Sequence, residues 1–60
     1  MYHRRRLRDA LFEAGYEDLA ELIDSFLPVM LSETDIDYAL SLNNNNIEFV
    51  ELDRIYNNYK

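Results

Sequence analysis

The sequence predicts an all-α fold, a compact bundle of three to four short helices, and three observations carry that reading. Apolar residues recur at three- and four-residue spacing in separate stretches along the 60 residues. The single glycine and single proline, Gly15 and Pro28, fall at the ends of such stretches. Ser32 and Asp35 have the spacing of a capping box, in which each side chain satisfies the other residue's amide at a helix start. Residues 1–60 form one small helical domain in this reading, with 1–8 a basic N-terminal arm or first turn.

The first helix is expected from Arg4 to about Ala14, because Leu7, Leu11 and Ala14, with Ala10 and Phe12 beside them, repeat at helical spacing. Gly15 follows where a left-handed C-terminal cap is needed. Asp18 and Glu21 are spaced as a second capping box, and Leu19, Leu22, Ile23 and Phe26 form the stripe of a second helix behind it. Pro28 lacks an amide hydrogen and disfavours helical geometry at Leu27, so this helix stops or kinks there. Helix three is placed from Glu33 to about Leu42, opened by Ser32 and Asp35, with Leu31 and Ile36 positioned as a hydrophobic staple.

The same segment has a rival. Ile36, Tyr38, Leu40 and Leu42 alternate with Asp37, Ala39 and Ser41, and asparagines 43–46 tolerate the positive φ of a turn. That reading gives an α+β chain, two helices followed by a hairpin at 36–52. The capping signal and the low strand propensity of Asp, Ala and Ser favour the helix. The asparagine run is then a connector between helices. A fourth helix is expected from about Asn46 to Asn58, with Asn45 and Glu48 together offering its cap and Phe49, Leu52, Ile55, Tyr56 and Tyr59 on one face.

A chain of this size buries only about 60% of its unfolded surface, so its stability is marginal. It has no cysteine and one histidine, His3, so neither a disulfide nor a clustered metal site is on offer as a staple. The eight aromatic residues are generous for so small a core, and some are expected to face outward.

Charge is strongly segregated. Residues 1–8 hold Arg4, Arg5, Arg6 and Arg8, whereas all twelve carboxylates lie between Asp9 and Asp53 with no Lys, Arg or His among them. Only Arg54 and Lys60 follow, leaving a net charge of −6. Such a field attracts basic surfaces and repels phosphate. The Arg-rich start is not expected to act as a secretory leader, since Arg8, Asp9 and Glu13 interrupt the apolar stretch that should follow. No apolar run approaches the ~18 residues of a membrane span. The chain is therefore expected to be intracellular and cytoplasmic, with no membrane partner.

Catalytic chemistry is not supported. Without cysteine, and with His3 in a terminal segment expected to fray, no nucleophile and base can be assembled. A calcium loop at Asp35 and Asp37 lacks its glycine and has Asn46 where a glutamate should close it. No cofactor and no metal are expected, and the protein is read as a non-enzyme.

Three binding readings remain. The first uses Asp9, Glu13 and Glu17 along one side of the first two helices and Asp18, Glu21 and Asp24 along the next, in rows with roughly 4 to 6 Å axial spacing. Those rows would dock on a basic, nucleic-acid-binding surface of a partner protein, for instance a nucleic-acid-processing enzyme, and act as a regulator or inhibitor by occlusion. In charge character this surface resembles the nucleic-acid-mimicking inhibitors that phages and plasmids direct against restriction or CRISPR nucleases. The second reading is a nucleic-acid-associated regulator in which Arg4, Arg5, Arg6 and Arg8 contact phosphates, with Tyr2 stacking. It is weaker, because the acidic body lies close behind the arm and those arginines can instead pair with Asp9 and Glu13 at i to i+4 spacing. The third is a structural or homo-oligomerising subunit that packs through Val29, Met30, Leu31, Tyr56 and Tyr59.

Overall fold

A computed structural model describes residues 1–43 and 47–59. In chain order these form β1 (Tyr2–His3), α1 (Arg4–Glu13), α2 (Glu17–Asp24), β2 (Met30–Leu31), α3 (Glu33–Leu42) and α4 (Phe49–Asn58). The four-helix expectation holds. The hairpin alternative does not, because residues 36–42 lie within α3. Their local alternation gives way to a cap worth about 1 kcal/mol and to a helical face that buries Ile36 and Ala39.

The first two helices are joined by a tight reversal. Gly15 has φ +94°, its amide donates to the Phe12 carbonyl, and the Tyr16 amide donates to the Leu11 carbonyl, which is the Schellman pattern. Tyr16 then becomes the N-cap residue of α2, so one residue closes α1 and precedes the first turn of the next helix. The capping box expected at Asp18 and Glu21 is absent: α2 starts one residue before Asp18 and has no side-chain cap, and Asp18 sits in its first turn. Helix α2 ends at Asp24, before Pro28 is reached. The Ser25 amide donates to the Glu21 carbonyl and its hydroxyl to the Leu22 carbonyl, closing the last turn early.

At α3 the capping box is fully formed. Asp35 N donates to Ser32 Oγ at 3.2 Å, and Ser32 N donates to Asp35 Oδ2 at 3.0 Å. Leu31 and Ile36, the expected staple pair, are both fully buried. Helix α4 begins at Phe49, later than expected, and Glu48 occupies the N-cap position without a side-chain bond. The proposed cap at Asn45, like the middle of the asparagine run, lies outside the described residues.

The basic segment is built into the fold. Residues 2 and 3 pair antiparallel with residues 31 and 30, the Arg4 amide donates to the Val29 carbonyl at 2.7 Å, and His3 Nδ1 accepts from the Arg6 amide as the N-cap of α1. A fraying terminus was expected because a two-residue strand has no sequence signature. Tyr2 anchors this end: its ring is buried edge-on against Tyr56 and Phe49, with centroids 4.9 and 6.0 Å away.

The core consists of Tyr2, Leu7, Leu11, Leu19, Ala20, Ile23, Leu31, Ile36, Ala39, Ile47 and Leu52. The apolar faces of all four helices meet there, and α1 packs on both α2 and α4. Phe12 and Ala14, expected on the inner face of helix one, are exposed instead, as is Tyr38. No helix among the described residues is long and apolar enough to cross a membrane.

Candidate functional site: a carboxylate corner and a basic end

Six acids on the first two helices were expected to form two unmasked rows, and the fold rearranges them. The chain reverses at Gly15, so Glu17 opens α2 and cannot continue a row from Asp9 and Glu13 on α1. Asp9 and Asp24 are both drawn onto Arg8. Asp9 Oδ1 accepts from Arg8 Nε at 2.9 Å and Nη2 at 2.7 Å, and Asp24 Oδ1 accepts from Arg8 Nη1 at 3.2 Å. These contacts raise the pKa of the Arg8 guanidinium, chiefly through the hydrogen bond to Asp9. A base that precedes every acid in sequence thus masks two of them, one on each helix.

What remains is a corner. Glu13, Glu17, Asp18 and Glu21 are exposed on either side of the Gly15 reversal and make no ion pair among the described residues. At 100° per residue, Glu17, Asp18, Glu21 and Asp24 span about a third of the circumference of α2, opposite Leu19, Ala20 and Ile23, which are buried. Glu17 and Asp18 also sit in the first turn of α2, at the positive end of its dipole, where acidic side chains support the helix. Glu17 and Glu21 are an i, i+4 pair of like charge, an arrangement that opposes helix stability.

Across the fold, carboxylates are divided by use. Asp35 serves the α3 cap, Asp53 accepts from the Tyr2 hydroxyl, and Glu51 accepts from the Tyr16 hydroxyl at 2.5 Å and lies 3.6 Å from Arg54. The Tyr16 phenol is pushed up, first by that hydrogen bond and then by burial. The two tyrosine pairings are not visible in sequence spacing, since their partners are 35 and 51 residues apart.

The arginines are similarly divided. Arg4 Nη1 donates to the Phe26 carbonyl and, at 3.3 Å, to the Leu27 carbonyl. Arg6 Nη2 donates to the Tyr59 carbonyl at 2.6 Å, and its guanidinium lies over the rings of Tyr56 and Tyr59. Arg8 holds the two aspartates. Arg5 is exposed and has no such tie among the described residues, and it lies beside a depression of about 240 Å³ lined by His3, Arg4, Arg5 and Val29. The i to i+4 pairs expected with Asp9 and Glu13 are not what forms.

A depression of about 470 Å³ is lined by Glu48, Val50, Glu51 and Arg54, none of them a nucleophile or an imidazole. Among the described residues no group of three His, Asp or Glu is placed to hold a metal ion. Of the apolar residues expected at an association surface, Val29 and Met30 are exposed, Tyr56 and Tyr59 are half-buried, and Leu31 is in the core. Comparison with protein-family models, curated proteins and solved structures found no match. The chemistry of the surface is therefore the ground for a functional reading.

Proposed function

We propose that this protein is a small interaction module, a regulator or inhibitor, that docks the carboxylate corner on a basic, nucleic-acid-binding surface of a partner protein and blocks it by occlusion. The observation carrying this reading is that Glu13, Glu17, Asp18 and Glu21 stay exposed and without an ion pair among the described residues, while Arg8 engages Asp9 and Asp24 nearby. Four uncompensated like charges around one turn oppose folding, and a basic partner removes that repulsion on binding. Steering by such a field makes association fast and salt-sensitive, since the Debye length falls from about 10 Å at 0.1 M salt to about 3 Å at 1 M. Direct phosphate binding by the arginines has less support, because Arg4, Arg6 and Arg8 are already engaged within the fold.

Affinity capture from cells that naturally produce the protein tests this, with the native chain compared with the Glu17→Gln, Asp18→Asn, Glu21→Gln triple variant. The expected result is a nucleic-acid-processing protein captured at low salt by the native chain, lost at high salt and lost with the variant. A partner retained equally by the triple variant sinks the proposal.

A further inference from the structure

We propose that this chain pairs with a second copy of itself, with the α1 helices antiparallel, so that Phe12 and Glu13 of each copy cover Val29 and Arg5 of the other. The purified chain is the whole system, so the inference does not rest on the partner proposed above.

The basic end of α1 is an apolar surface with a cation beside it. Leu27 is 91% exposed, Val29 60% and Met30 41%, and Val29 shares the 240 Å³ depression with Arg5 and His3. The Arg4 guanidinium, bonded to the Phe26 and Leu27 carbonyls, holds this loop against the start of α1. Neighbouring exposed apolar residues gain by being covered, and the unpaired Arg5 selects a cover that brings an apolar group together with an anion.

The other end of the same helix has that pair. Phe12 is 42% exposed, and Glu13 beside it is exposed and unpaired. Arg5 and Phe12 are seven residues apart, about two turns, and so lie on one face, while Leu7, Ala10 and Leu11 point into the core. An antiparallel partner brings each Phe12–Glu13 end to an Arg5–Val29 end. Both contacts form at once and the assembly closes as a two-fold dimer, leaving no open end.

The dipole of α1 is an independent reason. Its first turn holds Arg4, Arg5 and Arg6 and no acid, its last turn holds no base, and it ends on Glu13, so both termini are charged against the helix dipole. Antiparallel pairing sets each mismatched terminus against the opposite terminus of the other copy and relieves both. An extended anionic surface such as a bilayer relieves only the basic one.

Sedimentation equilibrium on the full chain, with circular dichroism as the folding control, tests the pairing. Native protein is expected to shift with concentration from 7.2 kDa toward twice that mass. Arg5→Glu and Glu13→Arg should each weaken dimerisation by about tenfold or more through like-charge contacts, while an equimolar mixture of the two should dimerise again because both swapped pairs are complementary. A native chain that stays at 7.2 kDa at every concentration overturns the inference, and so does a dimer indifferent to both swaps or an open series of larger species. Flotation of a monomeric native chain with phosphatidylglycerol vesicles also overturns it and assigns the basic end to a lipid surface.

Discussion

The Tyr2 hydroxyl donates to the Asp53 carboxylate, joining positions 51 residues apart and holding the first strand against the last helix. The His3 amide donates to the Tyr56 hydroxyl at 2.9 Å one turn further along α4, so two adjacent residues clasp the same helix. Replacing Tyr2 with Phe keeps the edge-on ring contacts and removes only the hydroxyl. We expect Tyr2→Phe to cost about 1.5–3 kcal/mol, as for a hydrogen bond to a charged acceptor, measured as a lower urea midpoint with an unchanged m-value.

The same contact sets a pH dependence. Burial, followed by the hydrogen bond to Asp53, raises the Tyr2 phenol well above its ordinary value of 10.0. The folded chain thus holds that proton more tightly than the unfolded chain, so the stabilisation is complete below pH 10 and is lost as pH rises beyond it. Tyr16 is shifted in the same direction. Urea midpoints measured upward from pH 9 should fall above pH 10, and less steeply in Tyr2→Phe.

Ser32 carries the one fully formed capping box in the described structure. Ser32→Ala removes the acceptor for the Asp35 amide and should cost about 1 kcal/mol. Chemical denaturation reads this directly, and a loss within error would mean that α3 is held by burial of Ile36 and Ala39 alone.

Gly15 has open space where a Cβ would stand, with nothing within 4 Å, yet its φ is +94°. Any cost of Gly15→Ala is therefore backbone strain, about 1–2 kcal/mol. Gly15→Asn should cost less, because asparagine enters the left-handed region more readily. Urea denaturation of the two variants side by side ranks them, and equal losses would count against this account.

Positions 29 and 31 separate surface from core within one apolar run. Leu31→Ala should cost about 2–5 kcal/mol by leaving a cavity, enough to unfold much of a chain this small. Val29→Ser, measured at a dilution where the chain is monomeric, should change stability by no more than about 0.5 kcal/mol. Comparable effects at the two positions would contradict the burial pattern.

The capped, helical character of residues 33–42 was legible because a capping box is local: Ser32 and Asp35 meet whatever packs around them. Gly15 was legible for the same reason, since a left-handed cap is a property of one residue. The box at Asp18 and Glu21 failed because the Schellman reversal at Gly15 had already set where α2 could begin. Pro28 marked a boundary that Ser25 reached first by closing the last turn with its own hydroxyl. Helix α4 was found by periodicity, but its start was placed three residues early, since asparagine can cap a helix at several positions.

Charge segregation is a fact of the chain, but which charges face a partner is a fact of the fold. Arg8 reaches Asp24 across 16 residues only because α1 and α2 pack together, and that contact turns two expected rows into one corner. The supposed basic arm becomes a strand and a helix because Tyr2 finds a buried site between β2 and α4. Helix propensity, caps and a net charge of −6 are set by neighbours along the chain. The pairing of Arg8, the burial of Leu31 and the exposure of Phe12 depend on distant segments sharing a small core, which sequence spacing does not encode.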